Sequence, residues 1–233
     1  MMTDTRSEAR PAAVVFDCDG VLIESVDIKT AAFADLFCDY PEHGAAITEH
    51  HLAHLGISRF EKFSWIYREL LHRELSDADR VALGRRFSDL VTQGARSCPE
   101  VNGASGTLAA LHDRAVPLFI ASGTPQAELD GVIAARGWTR LFDGIYGSPA
   151  AKPEILAKIA HTVGSTPSQL VFVGDGWSDY EAAQATGATF VLRETAAQAD
   201  RFLGYRGARI EDLEDFVTRL PELHGSEAGG SRF

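Results

Sequence analysis

The sequence predicts an α/β protein in which a parallel sheet is covered by helices on both faces and an all-helical segment is inserted directly after the first strand. Two patterns carry this prediction. Short apolar runs of strand type alternate with helical patterns over most of the chain, the arrangement of parallel sheets buried on both faces. From Asp27 to about Ser97, by contrast, apolar residues recur at intervals of three and four with almost no strand signal, as in amphipathic helices.

Taken in order, the first strand is Ala13 to Phe16, opening "VVFDCDGVLIES". The helical block follows, with "DIKTAAFADLFCDY", "RFEKFSWIYRELLHREL" and "DADRVALGRRFSDLVTQGA". Beyond it come a helix over Gly106 to Arg114, a strand over Pro117 to Ala121 and a helix over Gln126 to Arg136. A helix over Pro153 to Val163, a strand over Leu170 to Val173, a helix over Tyr180 to Thr186 and a strand over Thr189 to Leu192 complete the alternation. Residues 1–10 are polar and residues 224–233 are rich in Gly, Ser and charge, so both ends are expected to fray.

With 233 residues, 45% of them hydrophobic, the chain can bury a sizeable core. A formal net charge of -11 argues against nucleic-acid or anionic-membrane partners, whose phosphates reward the opposite sign. Any anionic ligand must then meet local positive charge. Cys18, Cys38 and Cys98 are odd in number and widely spaced, which suits reduced thiols and a cytoplasmic setting. No stretch has the length of a membrane span, and the first ten residues lack the apolar centre of a secretory signal.

Three apolar runs stop on small or acidic residues: "AVVF" on Asp17, "PLFIA" on Ser122, "LVFV" on Gly174 and Asp175. In a parallel sheet these carboxyl ends share one edge, where ligands bind. Lys152, before Pro153 at a helix start, opposes the helix macrodipole and points to an anion there. A set of carboxylates, one hydroxyl and one ammonium, with no histidine nearby, suits neither a Ser-His-Asp hydrolase nor a zinc site. Hard oxygen donors point to magnesium, which would let a carboxylate nucleophile attack a phosphate. Each piece also has a plainer reading. Asp-x-Asp-Gly alone is compatible with a solvated loop, Ser122 to Pro125 with a helix start capped by Thr124, and Asp175 and Asp179 with a helix N-terminus.

Together, "DCDGV", "IASGT", "AKP" and "GDGWSD" resemble the four ordered motifs of the haloacid dehalogenase superfamily, in its β-phosphoglucomutase and phosphoglycolate phosphatase-like branch. The resemblance spans about Ala13 to Leu192. It implies a Rossmann-like three-layer core over 1–24 and 98–233, and a small helical cap over 25–97. It also implies Asp17 as nucleophile and Asp19 as general acid and then base, with Asp17 ionised and Asp19 protonated at the outset. Ser122, Gly123 and Lys152 would bind phosphate. Magnesium would be held by Asp17, the Asp19 backbone carbonyl and Asp175, with Asp179 either a ligand through water or an orienter of Lys152. In the cap, "HLGISRFEKF" resembles the specificity loop of the sugar phosphomutase branch, so Arg59 and Lys62 are candidate contacts to the leaving group, with a solvated helix charge as the alternative for each. Lys29 stands where the mutases carry a histidine.

These features are consistent with a magnesium-dependent phosphomonoesterase acting on a small phosphorylated metabolite, a sugar phosphate or an organic-acid phosphate. A sugar phosphomutase is the alternative within the branch. A receiver-like phospho-accepting module combines similar residues, but there the metal-binding acids precede the phospho-aspartate and no helical insertion splits the first unit. His50, His51 and His54 are assigned structural or surface roles, and Trp177 either packing or a place at the crevice rim.

Overall fold

The computed structural model describes residues 10–225, so the expected fraying of residues 1–9 and 226–233 lies outside the described residues. Six strands form one wholly parallel sheet: β1 (Ala13–Phe16), β2 (Leu118–Pro125), β3 (Gly144–Ser148), β4 (Leu170–Gly174), β5 (Thr189–Arg193) and β6 (Ala208–Ile210). Their spatial order is β3-β2-β1-β4-β5-β6. The chain therefore winds outward from β1 in both directions, and the switch point lies between β1 and β4, where ligand crevices form in open α/β sheets.

Strand alternation builds the two cores. Val14 and Phe16 of β1, Leu118 and Ile120 of β2, and Val171 and Val173 of β4 face one side. There they meet α5 (Ala104–Asp113), α6 (Gln126–Ala135) and α9 (Phe216–Gly225). Ala13 and Val15, Phe119 and Ala121, and Leu170 and Phe172 face the other, against α7 (Lys152–Thr162) and α8 (Trp177–Thr186). This is the expected three-layer architecture.

The helical cap lies between β1 and β2. It comprises α1 (Val26–Leu36), α2 (Gly44–Ala53), α3 (Arg59–Trp65) continued by a π turn over Ile66–Leu70, and α4 (Asp77–Ser97). It has its own core of Phe33, Phe37, Ile47, Phe63, Ile66 and Phe87 among others, separate from those on the sheet. Ser58 and Ser76 supply side-chain N-caps to α3 and α4.

The differences from expectation have a common cause. Both unexpected strands, β3 and β6, are the sheet edges; "GIYGS" is only half-buried over its first three residues, and β6 has three residues. Helix α2 buries only Ile47 and His51, too few for an amphipathic stripe. Strand β2 also runs on to Pro125, with α6 starting at Gln126, so Ser122 to Pro125 is extended backbone and not a helix start.

Phe63 is fully buried and packs on Phe33, Phe60 and Phe87. Phe63→Ala is expected to destabilise the cap by about 3–5 kcal/mol, read as a lower urea midpoint in the unfolding transition.

Candidate active site

Asp17 continues the parity of Ala13 and Val15, so it emerges on the face covered by α7 and α8. Those helices begin with Lys152 and carry Asp179 in the first turn. The three meet. Lys152 Nζ donates to Asp17 Oδ2 at 2.8 Å and also to Asp179 Oδ1. The backbone N–H of Cys18 donates to Asp17 Oδ1 at 2.6 Å, and that of Gly176 to Asp179 Oδ2 at 3.0 Å. All three side chains are at least nine-tenths buried.

Burial dominates the proton affinities here. It raises the Asp17 pKa to about 7, with the Asp179 and Asp19 charges adding to the rise and Lys152 opposing it. Burial likewise pushes Asp175 well up, reinforced by Asp179 and Asp17. Burial works against the Lys152 ammonium, but Asp17 and Asp179 outweigh it and hold Lys152 charged. Three carboxylates thus share one cation.

Asp175 carries the clearest mark of a missing partner: both its oxygens are buried without a hydrogen bond. Oxygens of Asp17, Asp175 and Asp179 all lie within 4.8 Å of one another. An all-oxygen, net-negative donor set of this size fits a hard divalent cation. Gly20 (φ +73°) sits against it, and a Cβ there would lie 2.2 Å from Asp175 Oδ2, so glycine is required both by conformation and by space.

Asp19 differs from expectation. The chain turns after Phe16, and the two acids part instead of sharing a face. Asp19 Oδ2 accepts from Lys29 Nζ (2.5 Å) and Thr124 Oγ1 (2.8 Å), and Oδ1 from Ser25 Oγ (2.5 Å). Burial alone would raise its pKa, but the Lys29 charge and these hydrogen bonds lower it to about 2. Burial at Asp17 and Lys29 at Asp19 thus push in directions opposite to the expected division of Asp17 ionised and Asp19 protonated. The Asp19 carboxylate also stands outside the cluster of Asp17, Asp175 and Asp179. The sequence reading had missed Ser25 and Thr124 as partners of Asp19, although Thr124 lies within "IASGT".

The cap closes directly over these groups. Gly56 approaches so near that a Cβ would lie 2.4 Å from Ser178 Oγ and 2.9 Å from Lys152 Nζ. A Cβ on Gly123 would lie 2.4 Å from the Gly56 carbonyl oxygen. Ser178 Oγ donates to the Leu55 carbonyl at 2.9 Å. Ser122 is buried, its Oγ accepting from the Thr124 N–H at 3.2 Å. A cavity of about 40 Å³ is lined by Asp17, Asp175, Lys29, Lys62, His51 and Gly123 among others.

The cap candidates fare differently. Arg59 lines the cavity but its guanidinium is committed to Glu128 of α6, at 2.6 and 3.1 Å, stacked over Phe87 at 4.5 Å. Ser88 Oγ also donates to Glu128, at 2.5 Å. Arg59 is thus a tie between cap and core, which sequence could not show because Glu128 is distant in the chain. Lys62 is buried and not a solvated helix charge. His50 stacks on Trp65 at 3.7 Å, as a structural role requires, whereas His51 is buried and lines the cavity. Trp177 packs on Tyr180 and Phe202.

A carboxylate at the switch point of a parallel sheet, a lysine, a second acid pair and a helical cap define a class. The model of the haloacid dehalogenase-like hydrolases matches residues 11–187, and the chain belongs to that family. Its curated relatives include a phosphoglycolate phosphatase of Aliivibrio fischeri, 27% identical over 186 residues, 75% of this chain and 80% of that one. Another, from Pseudomonas putida, is 26% identical over 184 residues, 76% and 67% of the two chains. The solved β-phosphoglucomutase of Clostridium difficile shares the fold, with a TM-score of 0.74 at 16% identity over 92% of this chain and 97% of its own.

Two outcomes follow. Asp17 has a folded pKa of about 7 against an ordinary 3.8, so its contribution to stability is full below about pH 4 and is lost as pH rises through 7. Asp19, lowered to about 2, contributes above about pH 4 and loses that contribution as pH falls toward 2. In chelator, calorimetry is expected to show the Tm of the wild type falling between pH 5 and 7 relative to that of Asp17→Asn. Glu128→Gln is expected to speed amide hydrogen exchange over residues 55–59 about tenfold, because a charged partner of Arg59 is lost and the cap opens more often.

Proposed function

We propose that this haloacid dehalogenase-type phosphatase hydrolyses a small phosphorylated metabolite, with magnesium, through a phosphoryl group carried on Asp17. The observation that bears most weight is Asp17 itself, buried at the end of the central strand between Lys152 and the unpartnered Asp175. Asp17, Asp175 and Asp179 would hold the ion, with the Asp19 carbonyl as the resemblance implies. When bound, magnesium would neutralise the repulsion between a carboxylate and a phosphate dianion; the same charge favours ionised Asp17.

In the first half-reaction an Asp17 oxygen bonds to phosphorus while the ester P–O bond breaks. The Lys152 ammonium and Ser122 hydroxyl receive the charge that gathers on the phosphoryl oxygens, with Gly123 leaving room for them. The leaving oxygen takes a proton from the Asp19–Lys29 pair. In the second half, Asp19 accepts a proton from water, which attacks phosphorus and releases phosphate and the Asp17 carboxylate. Lys29 and Thr124 keep Asp19 ionised at rest, the state able to accept the proton of the attacking water. The cavity of about 40 Å³ has the space of only a few waters, so substrate enters with the cap open and reacts with it closed, away from bulk solvent.

The family match and the curated phosphatase relatives support this reading above a receiver-like module. The phosphomutase alternative differs in its product, an isomer instead of free phosphate. A panel of phosphorylated metabolites assayed with magnesium is expected to release phosphate, and chelator to stop it. Asp17→Asn is expected to lower turnover by roughly 10⁴ or more, and Asp19→Asn by roughly 10²–10⁴. Phosphorus NMR of the products separates hydrolysis from isomerisation. Undiminished turnover by Asp17→Asn would sink the proposal.

A further inference from the structure

The carboxyl end of β5 carries a charged group that the proposed reaction leaves unused. Leu192 pairs with Gly174 of β4, so the last residue of β5, Arg193, comes level with Asp175 at the rim where the acids gather. Its side chain is mostly buried, and each nitrogen of its guanidinium is committed. Nε donates to the Glu211 carbonyl at 3.1 Å, which seats the group on the exit from β6. Nη1 donates to the Gly20 carbonyl at 3.2 Å and to Glu24 Oε2 at 3.4 Å, and Nη2 to Glu24 Oε1 at 2.6 Å. A fork held on both oxygens of a carboxylate has a fixed plane as well as a fixed position.

Gly20 and Glu24 belong to the turn that joins Asp17 to the first cap helix. That turn is tied to itself: the Gly20 N–H donates to the Ile23 carbonyl at 2.8 Å, and the N–H groups of Leu22 and Ile23 both donate to the Cys18 carbonyl, at 2.9 and 3.1 Å. It therefore moves as one piece. At its start the Cys18 N–H orients the Asp17 carboxylate, and in its middle Gly20 lies against Asp175 with no room for a Cβ. At its end it is bonded to the linker returning from the cap, the Glu24 N–H to the Pro99 carbonyl at 2.9 Å and the Val101 N–H to the Leu22 carbonyl at 3.0 Å. Arg193 ties this piece to the sheet: β5 fixes the guanidinium, and the guanidinium fixes a turn that faces both Asp17 and Asp175.

We infer that Arg193 is a positioning residue for the cation site, which by holding the Gly20 carbonyl and the Glu24 carboxylate sets Asp17, Gly20 and the Asp19 backbone against Asp175. This rests on the proposed function for the identity of the ion, magnesium, and adds a determinant of its affinity that lies outside the acid set. Charge and geometry act here with opposite signs. Removing a cation beside a cluster of acids strengthens their pull on a metal ion, whereas releasing the turn lets the donors spread and weakens it.

The test titrates the metal-free full-length chain with magnesium by calorimetry, without substrate. Arg193→Met is expected to raise the magnesium Kd roughly tenfold, as loss of a supporting contact does at metal sites. Arg193→Lys keeps the charge and loses the fork; its Kd is expected to fall between those of wild type and Arg193→Met, and it carries the comparison if the methionine variant does not fold. Glu24→Gln is expected to weaken binding less, and the double variant Arg193→Met, Glu24→Gln to bind no more weakly than Arg193→Met alone, because the two side chains act as one contact. Arg209→Met controls for stability alone, since Arg209 is held on the edge of the sheet by Glu194 and the Phe202 and Tyr205 carbonyls; it is expected to lower Tm and keep the wild-type Kd. An unchanged or tighter magnesium Kd without Arg193, or an equal weakening in Arg209→Met, overturns the positioning role and leaves the magnesium reading intact. A wild type that binds no magnesium overturns both. A wild type whose magnesium binding depends on Arg193, but which releases phosphate from no ester, defeats the phosphatase reading alone and leaves the positioning role standing.

Discussion

The arrangement depends on one buried ammonium. Lys152 lies between Asp17 and Asp179, and Asp175 lies close by with no hydrogen-bonding partner. Three interior acids against one cation are tolerable only where protons or a metal make up the difference. Burial first, and then the neighbouring acids, make Asp17 resist ionisation, Gly20 leaves space against Asp175, and the three acids are delivered by the ends of β1 and β4 and the first turn of α8 at the switch point of the sheet. The scaffold brings the charges together, and their imbalance leaves a net-negative, all-oxygen set of the kind that fits a hard divalent cation.

The cap supplies the opposite sign. A chain with net charge -11 lines its cavity with Lys29, Arg59 and Lys62, the local positive charge that an anionic ligand requires. Each cation is held in its own way: Lys29 by the acid it keeps ionised, Arg59 by a tie to the core, and Lys62 by a neutral histidine. Only the last has no carboxylate partner among the described residues.

Much of this was legible in the sequence because central strands are buried on both faces and stop abruptly. "AVVF", "PLFIA" and "LVFV" are continuous apolar runs, and Asp17, Ser122 and Asp175 follow them at the same edge. Edge strands lack that signature: Gly144–Ser148 mixes glycine with a half-buried tyrosine, and Ala208–Ile210 is too short to register. Pairings across the chain were equally hidden. Nothing local in "DCDGV" says that Asp19 turns away to Lys29 and Thr124, or that Arg59 finds Glu128, since those partners are set by how the cap seats on the core. The histidines of α2 were readable only as structural or surface residues because that helix has no apolar stripe, and nothing local marks His51 as the interior one.

The position of β1 has a further consequence, for the order of assembly. Val14 pairs with Leu118 on one side and Val171 on the other, so the strand that leads into Asp17 is secured by contacts very remote along the chain. Closing such loops is entropically expensive and slows folding. The helices of the insertion, by contrast, pack on near neighbours, and α1 lies against α4, which brings the two chain ends of the insertion side by side. A preformed cap shortens the effective loop between β1 and β2, and the same element that shields the finished site also lowers the entropic barrier to building the sheet beneath it.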